Sequence, residues 1–224
     1  MKWTIPFHWK DGIVVFNIEG RNIIMDTGSP ATIGTDVRLC DRTARSSAIL
    51  LSMMGERFLP AWAAGLVGLD FINQFTTTVD ARDMTVTFDE GDTQPVGTAV
   101  GLLPAFYQGA PFVPVHLGGQ RLRAFVDTGS TLSYIGGELL STGPQVGEWD
   151  DYHPVVGEFH TPVHRLAADI GGEPVDLEFG RMPGMLGLGL QAMGADILIG
   201  GELLRQRRVT FAPARNALFL EPYR

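Results

Sequence analysis

Two aspartates of this chain lie in identical tetrapeptides, Asp26-Thr27-Gly28-Ser29 and Asp127-Thr128-Gly129-Ser130. Two carboxyl groups held about 3 Å apart cannot both ionise, so such a pair shares one proton. The ionised member can take a proton from a water molecule while the protonated member donates one to a carbonyl oxygen. Asp26 and Asp127 are therefore the candidate catalytic residues, provided that the fold brings them together.

The elements around both tetrapeptides are predicted to be strands. Residues 23–25 and 124–126 are apolar runs that end at the aspartates, and an Ile-Gly pair follows each tetrapeptide a few residues later. Apolar runs interrupted by turn-forming residues indicate a strand, a tight turn and a second strand. The acid is expected at the turn in both places.

The similarity between the two halves extends beyond the tetrapeptides. Leu66-Val67-Gly68 follows the first acid and Leu198-Ile199-Gly200 follows the second, and each triplet precedes a short helix-like stretch and further strands. The acids are 101 residues apart, whereas the two triplet glycines are 132 apart. The sequence thus predicts a duplicated half-domain whose second copy carries an insertion of about thirty residues.

These paired motifs resemble those of the aspartic proteases, the clan of pepsin and the retropepsins. The resemblance covers roughly residues 13–88 and 112–220. It implies an all-β fold with two pseudo-symmetric, barrel-like lobes and short helices, in which the apolar-apolar-Gly triplet braces each acidic loop from behind. Both chain ends, residues 1–9 and 217–223, are strand-like and are expected to join a sheet beneath the lobes.

The resemblance also assigns roles within the two loops. Thr27 and Thr128 are expected to link the loops by hydrogen bonds. Ser29 and Ser130 are expected to hydrogen-bond the outer carboxylate oxygens. A donor to an ionised carboxylate lowers its pKa, so serines in these roles would work against a shared proton near neutral pH. Gly28 and Gly129 let the backbone turn tightly and approach the partner loop.

Three segments follow from this organisation: an N-terminal lobe over residues 1–95, a connection over 96–111, and a C-terminal lobe over 112–224. The insertion in the second half is predicted to form strands over 153–158 and 159–170, with a turn near Gly157-Glu158. In retropepsins, a hairpin at this relative position is the flap that closes over substrate. We place the flap at residues 155–161, and its candidate substrate-binding residues are Val156, Gly157, Glu158, Phe159 and His160.

Composition limits the partners. The 224 residues carry a net charge of −8. This charge argues against binding to nucleic acid or an anionic membrane, because binding either one would need clustered lysines and arginines on the protein. Cys40 is the only cysteine and nothing in the sequence places a base beside it, so a reducing cytoplasm is expected and a nucleophilic role is not. The first ten residues have no signal-peptide pattern, and no prosegment is expected before Asp26.

The sequence also contains residues typical of a metal site and of a dinucleotide-binding loop. His153, Glu158, His160 and His164 could in principle bind a metal, but they are better explained as polar residues of the flap. The glycines of residues 184–194 resemble a dinucleotide loop only faintly and are better explained as an apolar loop. We therefore expect no metal and no cofactor.

Two functions remain open. The first is an aspartic endopeptidase, a monomer that binds an extended peptide between its lobes. The second keeps the fold and the acid pair but uses the shared proton for cyclisation, isomerisation or dehydration of an apolar small molecule. The absence of an evident N-terminal flap, prosegment and secretion signal keeps this second function open.

Overall fold

The computed structural model describes residues 1–49, 52, 59–91, 93–105, 109–153 and 156–223. The protein is mostly β. The strands of residues 1–101 are β1 Lys2–Lys10, β2 Ile13–Ile18, β3 Arg21–Met25, β4 Ile33–Gly34, β5 Val37–Leu39, β6 Arg42–Ala44, β7 Gly65–Val67, β8 Thr76–Asp80, β9 Thr85–Asp89 and β10 Thr98–Gly101. Those of the remainder are β11 Phe112–Leu117, β12 Gln120–Val126, β13 Ser133–Ile135, β14 Gln145–His153, β15 Gly157–Ile170, β16 Glu173–Arg181, β17 Ile197–Ile199, β18 Arg207–Ala212 and β19 Ala217–Pro222.

The helices are short. They are α1 Leu69–Ile72, α2 Gly137–Leu140, α3 Gly184–Ala192, α4 Glu202–Gln206 and a 3-10 turn at Pro213–Arg215. The helix α3 corrects the prediction that residues 184–194 form a loop. Among the described residues, no helix is long and apolar enough to cross a membrane.

Two large sheets contain most of the strands. One has ten strands in the order β10-β19-β18-β8-β9-β1-β2-β3-β7-β4, and the other has seven in the order β11-β12-β17-β13-β16-β15-β14. The first and last strands, β1 and β19, belong to the same ten-stranded sheet, as expected for the two chain ends. The predicted connection over 96–111 contains β10, which pairs with β19, and its residues 106–108 lie outside the described ones.

The core is one large apolar cluster that draws on both halves of the sequence. Its largest fully buried side chains include Phe16, Phe71 and Phe88 from the first half and Phe112 and Phe179 from the second. Phenylalanines bury much apolar area, and each fully buried one contributes roughly 1.5–3 kcal/mol of transfer free energy. This packing fixes the strands that end at Asp26 and Asp127.

Candidate active site

Each acid lies at the end of a buried central strand. The strand β3 runs parallel to β7, and the N–H of Asp26 donates to the Val67 carbonyl at 3.0 Å. In the second half β12 runs parallel to β17, and the N–H of Asp127 donates to the Ile199 carbonyl at 2.8 Å. The same hydrogen bond therefore positions both acids.

Four hydrogen bonds link the two acidic loops through their threonines. The N–H of Thr27 donates to Thr128 Oγ1 at 3.0 Å, and the N–H of Thr128 donates to Thr27 Oγ1 at 3.0 Å. Each hydroxyl then donates to a strand carbonyl of the opposite loop: Thr27 to Val126 and Thr128 to Met25, both at 2.8 Å. Both threonines are fully buried or nearly so. The link between loops that the resemblance implied is present in both directions.

The glycines allow the two loops to approach each other. A Cβ on Gly28 would lie 2.4 Å from Asp127 Cγ, and one on Gly129 would lie 2.6 Å from Asp26 Cγ. Contacts below about 3 Å are not tolerated, so any side chain at either position would push the opposite carboxyl group away. The backbone of each loop is thus in contact with the acid of the other.

The two acids share a buried environment that favours their protonated forms. Burial raises the pKa of both carboxyl groups, and the charge of Asp26 raises the pKa of Asp127 further. Asp26 Oδ1 accepts from the N–H groups of Gly28 at 2.7 Å and Ser29 at 3.0 Å, and both bonds oppose this rise in the pKa of Asp26.

Only one of the two equivalent amides of the second loop donates to the carboxyl group of Asp127. The N–H of Gly129 donates to Asp127 Oδ1 at 2.8 Å, but that of Ser130 donates to the main-chain oxygen of Asp127 at 3.3 Å. The N–H of Gly28 also lowers the pKa of Asp127, so each carboxyl group has two amide donors and the acids differ in the partner of the serine amide. Burial with this arrangement favours retention of the shared proton at higher pH than for an ordinary Asp.

The serine hydroxyls do not make the bonds that the resemblance implied. Ser29 Oγ donates to the Ala31 carbonyl at 2.7 Å, and Ser130 Oγ donates to the Leu132 carbonyl at 2.8 Å. Each closes a turn within its own loop, and because a hydroxyl has one proton to donate, neither supplies it to a carboxylate. The expected lowering of the acid pKa values by serine hydroxyls is therefore absent.

A side-chain hydroxyl lies six residues after each acid, on Thr32 and on Ser133, and neither was predicted from the sequence to belong to the site. The N–H of Gly68 donates to Thr32 Oγ1 at 3.3 Å, and the N–H of Gly200 donates to Ser133 Oγ at 3.1 Å. The matched spacing from Asp26 and Asp127 was the signal that could have identified them. These bonds join the triplet glycines to the segments that follow the acidic loops.

The triplet glycines are packed against those same segments. A Cβ on Gly68 would lie 2.4 Å from the carbonyl carbon of Ala31, and one on Gly200 would lie 2.6 Å from the carbonyl oxygen of Leu132. The triplets thus lie directly behind the loops, as the resemblance implied.

The candidate flap residues belong to a hairpin of β14 and β15, in which His153 pairs with Gly157. The strand β14 ends at His153 and β15 begins at Gly157, so the chain reverses before Gly157 and not near Gly157-Glu158 as predicted. Residues 154 and 155 are outside the described ones. Gly157 begins β15 at φ +85°, a conformation that favours glycine. The prediction of one strand over 153–158 is therefore wrong, because its ends belong to two different strands.

The remaining flap candidates have these surroundings. The N–H of Val156 donates to the His153 carbonyl at 3.0 Å, and Glu158 pairs with Tyr152 in the ladder. Phe159 lies 5.9 Å from the Tyr134 ring, and His160 Nδ1 lies 2.7 Å from Asp150 Oδ1. The hydrogen bonds of His160 to Asp150 and Glu148 raise its pKa. Phe159 therefore contacts Tyr134, which belongs to the segment that follows Asp127.

The residues considered for a metal site are separated, and the thiol of Cys40 is not reactive. His164 Nδ1 lies 2.9 Å from the Gly143 carbonyl, apart from the acids around His160. No group of three or more His, Cys, Asp or Glu with the geometry of a metal site occurs within the described ranges. Cys40 is buried, and burial together with Asp41 and Glu90 raises the pKa of its thiol to about 12. It is therefore not a nucleophile at neutral pH.

Comparison with known proteins finds local likenesses only. The chain matches no protein-family model and no curated protein sequence. Among solved structures, a foamy viral protease-reverse transcriptase bound to an RNA/DNA hybrid is similar at 20% identity and a TM-score of 0.33, over 41% of this chain and 11% of that one. The protease of simian foamy virus is similar at 19% identity and a TM-score of 0.31, over 41% of this chain and 88% of that one. The chain thus spans about a tenth of the first of these proteins.

Proposed function

We propose that this protein is an aspartic endopeptidase in which Asp26 and Asp127 activate a water molecule for attack on a peptide bond. One observation carries the proposal: reciprocal threonine hydrogen bonds hold the two acidic loops together, and each carboxyl group lies against the glycine of the opposite loop. A carboxyl pair built in this way holds one proton and one charge side by side. It can act as base and acid in the same step.

The asymmetry of the amide donors assigns the two roles. Asp26, whose charge is stabilised by two N–H groups, takes a proton from the water between the acids. Asp127 donates its proton to the carbonyl oxygen of the peptide as the water oxygen bonds to the carbonyl carbon. The product of this step is a neutral tetrahedral diol, with the proton count of the pair unchanged. Proton transfer to the amide nitrogen then allows the carbon–nitrogen bond to break.

The wider arrangement belongs to the same proposal. Residues 1–95 and 112–224 form two lobes joined by 96–111, and an extended peptide or an apolar small molecule binds in the cleft between them. The hairpin of β14 and β15 serves as the flap. Catalysis needs a single chain, since both acids are supplied by it. The matching loops, triplets and strand pairs support an origin by duplication.

The first prediction concerns the acids. Asp26→Asn and Asp127→Asn should each reduce the rate of peptide cleavage by at least about 100-fold, because an amide cannot exchange the shared proton. The measurement is cleavage of a mixed peptide library from about pH 3 to 8, with and without a statine-type inhibitor that mimics the tetrahedral intermediate. Asp83→Asn is the matched control, since its side chain is exposed in the turn between β8 and β9, away from both the acids and the hairpin.

Each outcome of this assay has a clear meaning. Inhibitor-sensitive cleavage that is lost in both acid variants, but kept in Asp83→Asn, supports the endopeptidase. Cleavage that survives in either acid variant contradicts the roles of the pair. A folded protein without cleavage at any pH contradicts the endopeptidase and favours acid–base chemistry on a small molecule, for which a carboxyl group that keeps its proton is equally suited.

A further inference from the structure

Tyr134 joins the acidic loop of the second half to the hairpin. It lies on β13, seven residues after Asp127, and is 4% exposed. Its ladder partner is Leu198, which directly precedes Ile199, the residue whose carbonyl accepts the N–H of Asp127. Tyr134 is therefore fixed to the same framework as the acid.

The hydroxyl of Tyr134 donates to Asp151 Oδ2 on β14. The other carboxylate oxygen, Asp151 Oδ1, accepts from the N–H of Tyr152 at 2.8 Å, which holds the acceptor in place. The ring of Tyr134 lies 5.9 Å from that of Phe159 on β15. One side chain thus contacts both strands of the hairpin.

The packing around the ring depends on a residue without a side chain. A Cβ on Gly180 would lie 2.9 Å from Tyr134 Cε1, 2.8 Å from Leu132 Cδ2 and 2.9 Å from Thr161 Cγ2. These side chains meet over the Gly180 backbone, within an apolar cluster that also includes Phe159. The ring is therefore confined, and its hydroxyl has a defined direction.

The strand β14 has few other attachments. In the part of the chain that the structure describes, it pairs with β15 and with no other strand, and it forms the edge of the seven-stranded sheet. Most of its residues are exposed. The bond from Tyr134 to Asp151 is thus a direct side-chain link between this outer strand and the framework of the acidic loop.

We infer that Tyr134 is a positioning residue that fixes the orientation of the β14–β15 hairpin relative to the Asp127 loop through its hydrogen bond to Asp151. The inference rests on the proposed function only for its kinetic consequence. A hairpin already held in its binding orientation loses less conformational freedom when a peptide binds. Loss of the bond should therefore weaken substrate binding more than it slows the chemical step.

The test is Tyr134→Phe, which keeps the ring and removes the hydroxyl. Hydrogen exchange of the backbone amides of residues 145–153 should become about tenfold faster, since a hydrogen bond to a charged acceptor shifts an opening equilibrium by at least that factor. KM for peptide cleavage should rise by about the same factor, while kcat stays within about twofold. Tyr152→Phe, on the same strand but 43% exposed, is the matched control.

A second pair of variants separates the bond from the residue. Asp151→Asn keeps an oxygen acceptor without its charge and should accelerate hairpin exchange less than Tyr134→Phe does, whereas Asp151→Leu should resemble Tyr134→Phe. Unchanged exchange in both Tyr134→Phe and Asp151→Leu overturns the inference, even if the enzyme cleaves peptides. Faster exchange in a protein without peptidase activity supports the positioning role and contradicts the proposed function alone.

Discussion

At the scale of single residues, the environments of Asp26 and Asp127 differ although their sequences are identical. The difference arises from one amide: the N–H of Ser29 reaches the carboxylate of Asp26, whereas that of Ser130 donates to a main-chain oxygen. A fixed N–H donor stabilises a carboxylate anion, and its absence favours the protonated acid. The same tetrapeptide therefore gives the two acids different amide donors, which supports the proposed roles of base for Asp26 and acid for Asp127.

The raised pKa of Asp127 predicts that the stability of the folded protein depends on pH. Burial and the charge of Asp26 raise the pKa of Asp127 above its ordinary value of 3.8, so the folded state binds its proton more tightly than the unfolded chain does. Stability therefore decreases as the pH rises above that value. Asp127→Asn cannot ionise, and we expect it to melt a few degrees higher than the wild type at pH 7.

The measurement is thermal unfolding by scanning calorimetry at several pH values. The gain should shrink as the pH falls toward about 4, where the unfolded chain also keeps its proton. Asp83→Asn serves again as the control and should show no such gain. A melting temperature that is lower than that of the wild type at pH 7 would contradict the assigned burial of an ionisable pair.

At the scale of elements, the two acidic loops are joined by bonds that cross from one half of the sequence to the other. Thr27 Oγ1 both accepts the N–H of Thr128 and donates to the Val126 carbonyl. These groups are buried, so a residue without the hydroxyl leaves a donor and an acceptor without partners. The elements that carry the acids are therefore interdependent.

Thr27→Val tests this dependence, because valine has nearly the same shape. We expect it to lower the free energy of unfolding by about 2–4 kcal/mol, measured by urea denaturation. The rate of peptide cleavage should also fall, because the two acids are displaced from each other. Thr27→Ser keeps the hydroxyl and should cost only about 1 kcal/mol for the lost methyl group. Equal losses in the two variants would show that packing, not the hydrogen bonds, holds the loops together.

The prediction of these elements from sequence succeeded where apolar runs delimit them. The strands β3 and β12 end at the acids as their apolar residues indicate. The strand β14 was missed because its residues are mostly polar, and it is a strand through pairing with β15, which the local pattern does not encode. The helix α3 was missed because three of its nine residues are glycine, which disfavours a helix by about 1 kcal/mol each.

The same reasoning explains the site. The acids, threonines and glycines were predictable because both loops carry them at matched positions. The serine hydroxyl partners were not, because a hydroxyl chooses between nearby acceptors only once the turn is formed. The position of the flap turn was wrong because the glycine pattern near Gly157 marks the start of β15 and not the centre of the turn.

At the scale of the whole molecule, the ten-stranded sheet combines strands from distant parts of the chain. The strand β18 pairs with β8, and across this pairing Arg208 Nε donates to Asp80 Oδ2 at 2.6 Å. Arg208 also donates to Glu221 at 3.1 Å. Although burial opposes ionisation, the N–H of Asp83 and the guanidinium of Arg208 lower the pKa of Asp80. This ion pair therefore links the two halves.

Arg208→Met keeps most of the apolar stem and removes the charge. We expect it to lower the free energy of unfolding by about 1–2 kcal/mol at pH 7, a modest value because the arginine is partly exposed. The folded pKa of Asp80 is lowered, so the contribution decreases as the pH falls below 3.8 and the difference from the wild type should then become smaller. Urea denaturation at pH 7 and at about pH 3 measures both values.

Arg165→Met is the matched control, since Arg165 pairs with Glu178 on an exposed face. Its midpoint of urea denaturation should stay within experimental error of that of the wild type at either pH. A difference for Arg208→Met that does not change with pH would show that the stem, and not the ion pair, stabilises the sheet.

The position of β18 and β19 between β8 and β10 has a consequence for synthesis. Both strands follow the other eight strands of this sheet in the sequence, so the sheet stays incomplete until residues 207–222 have left the ribosome. Contacts over such long sequence separations form slowly, since the loops must close before the contacts contribute. The first acidic loop is therefore synthesised well before the sheet that contains β3 is complete.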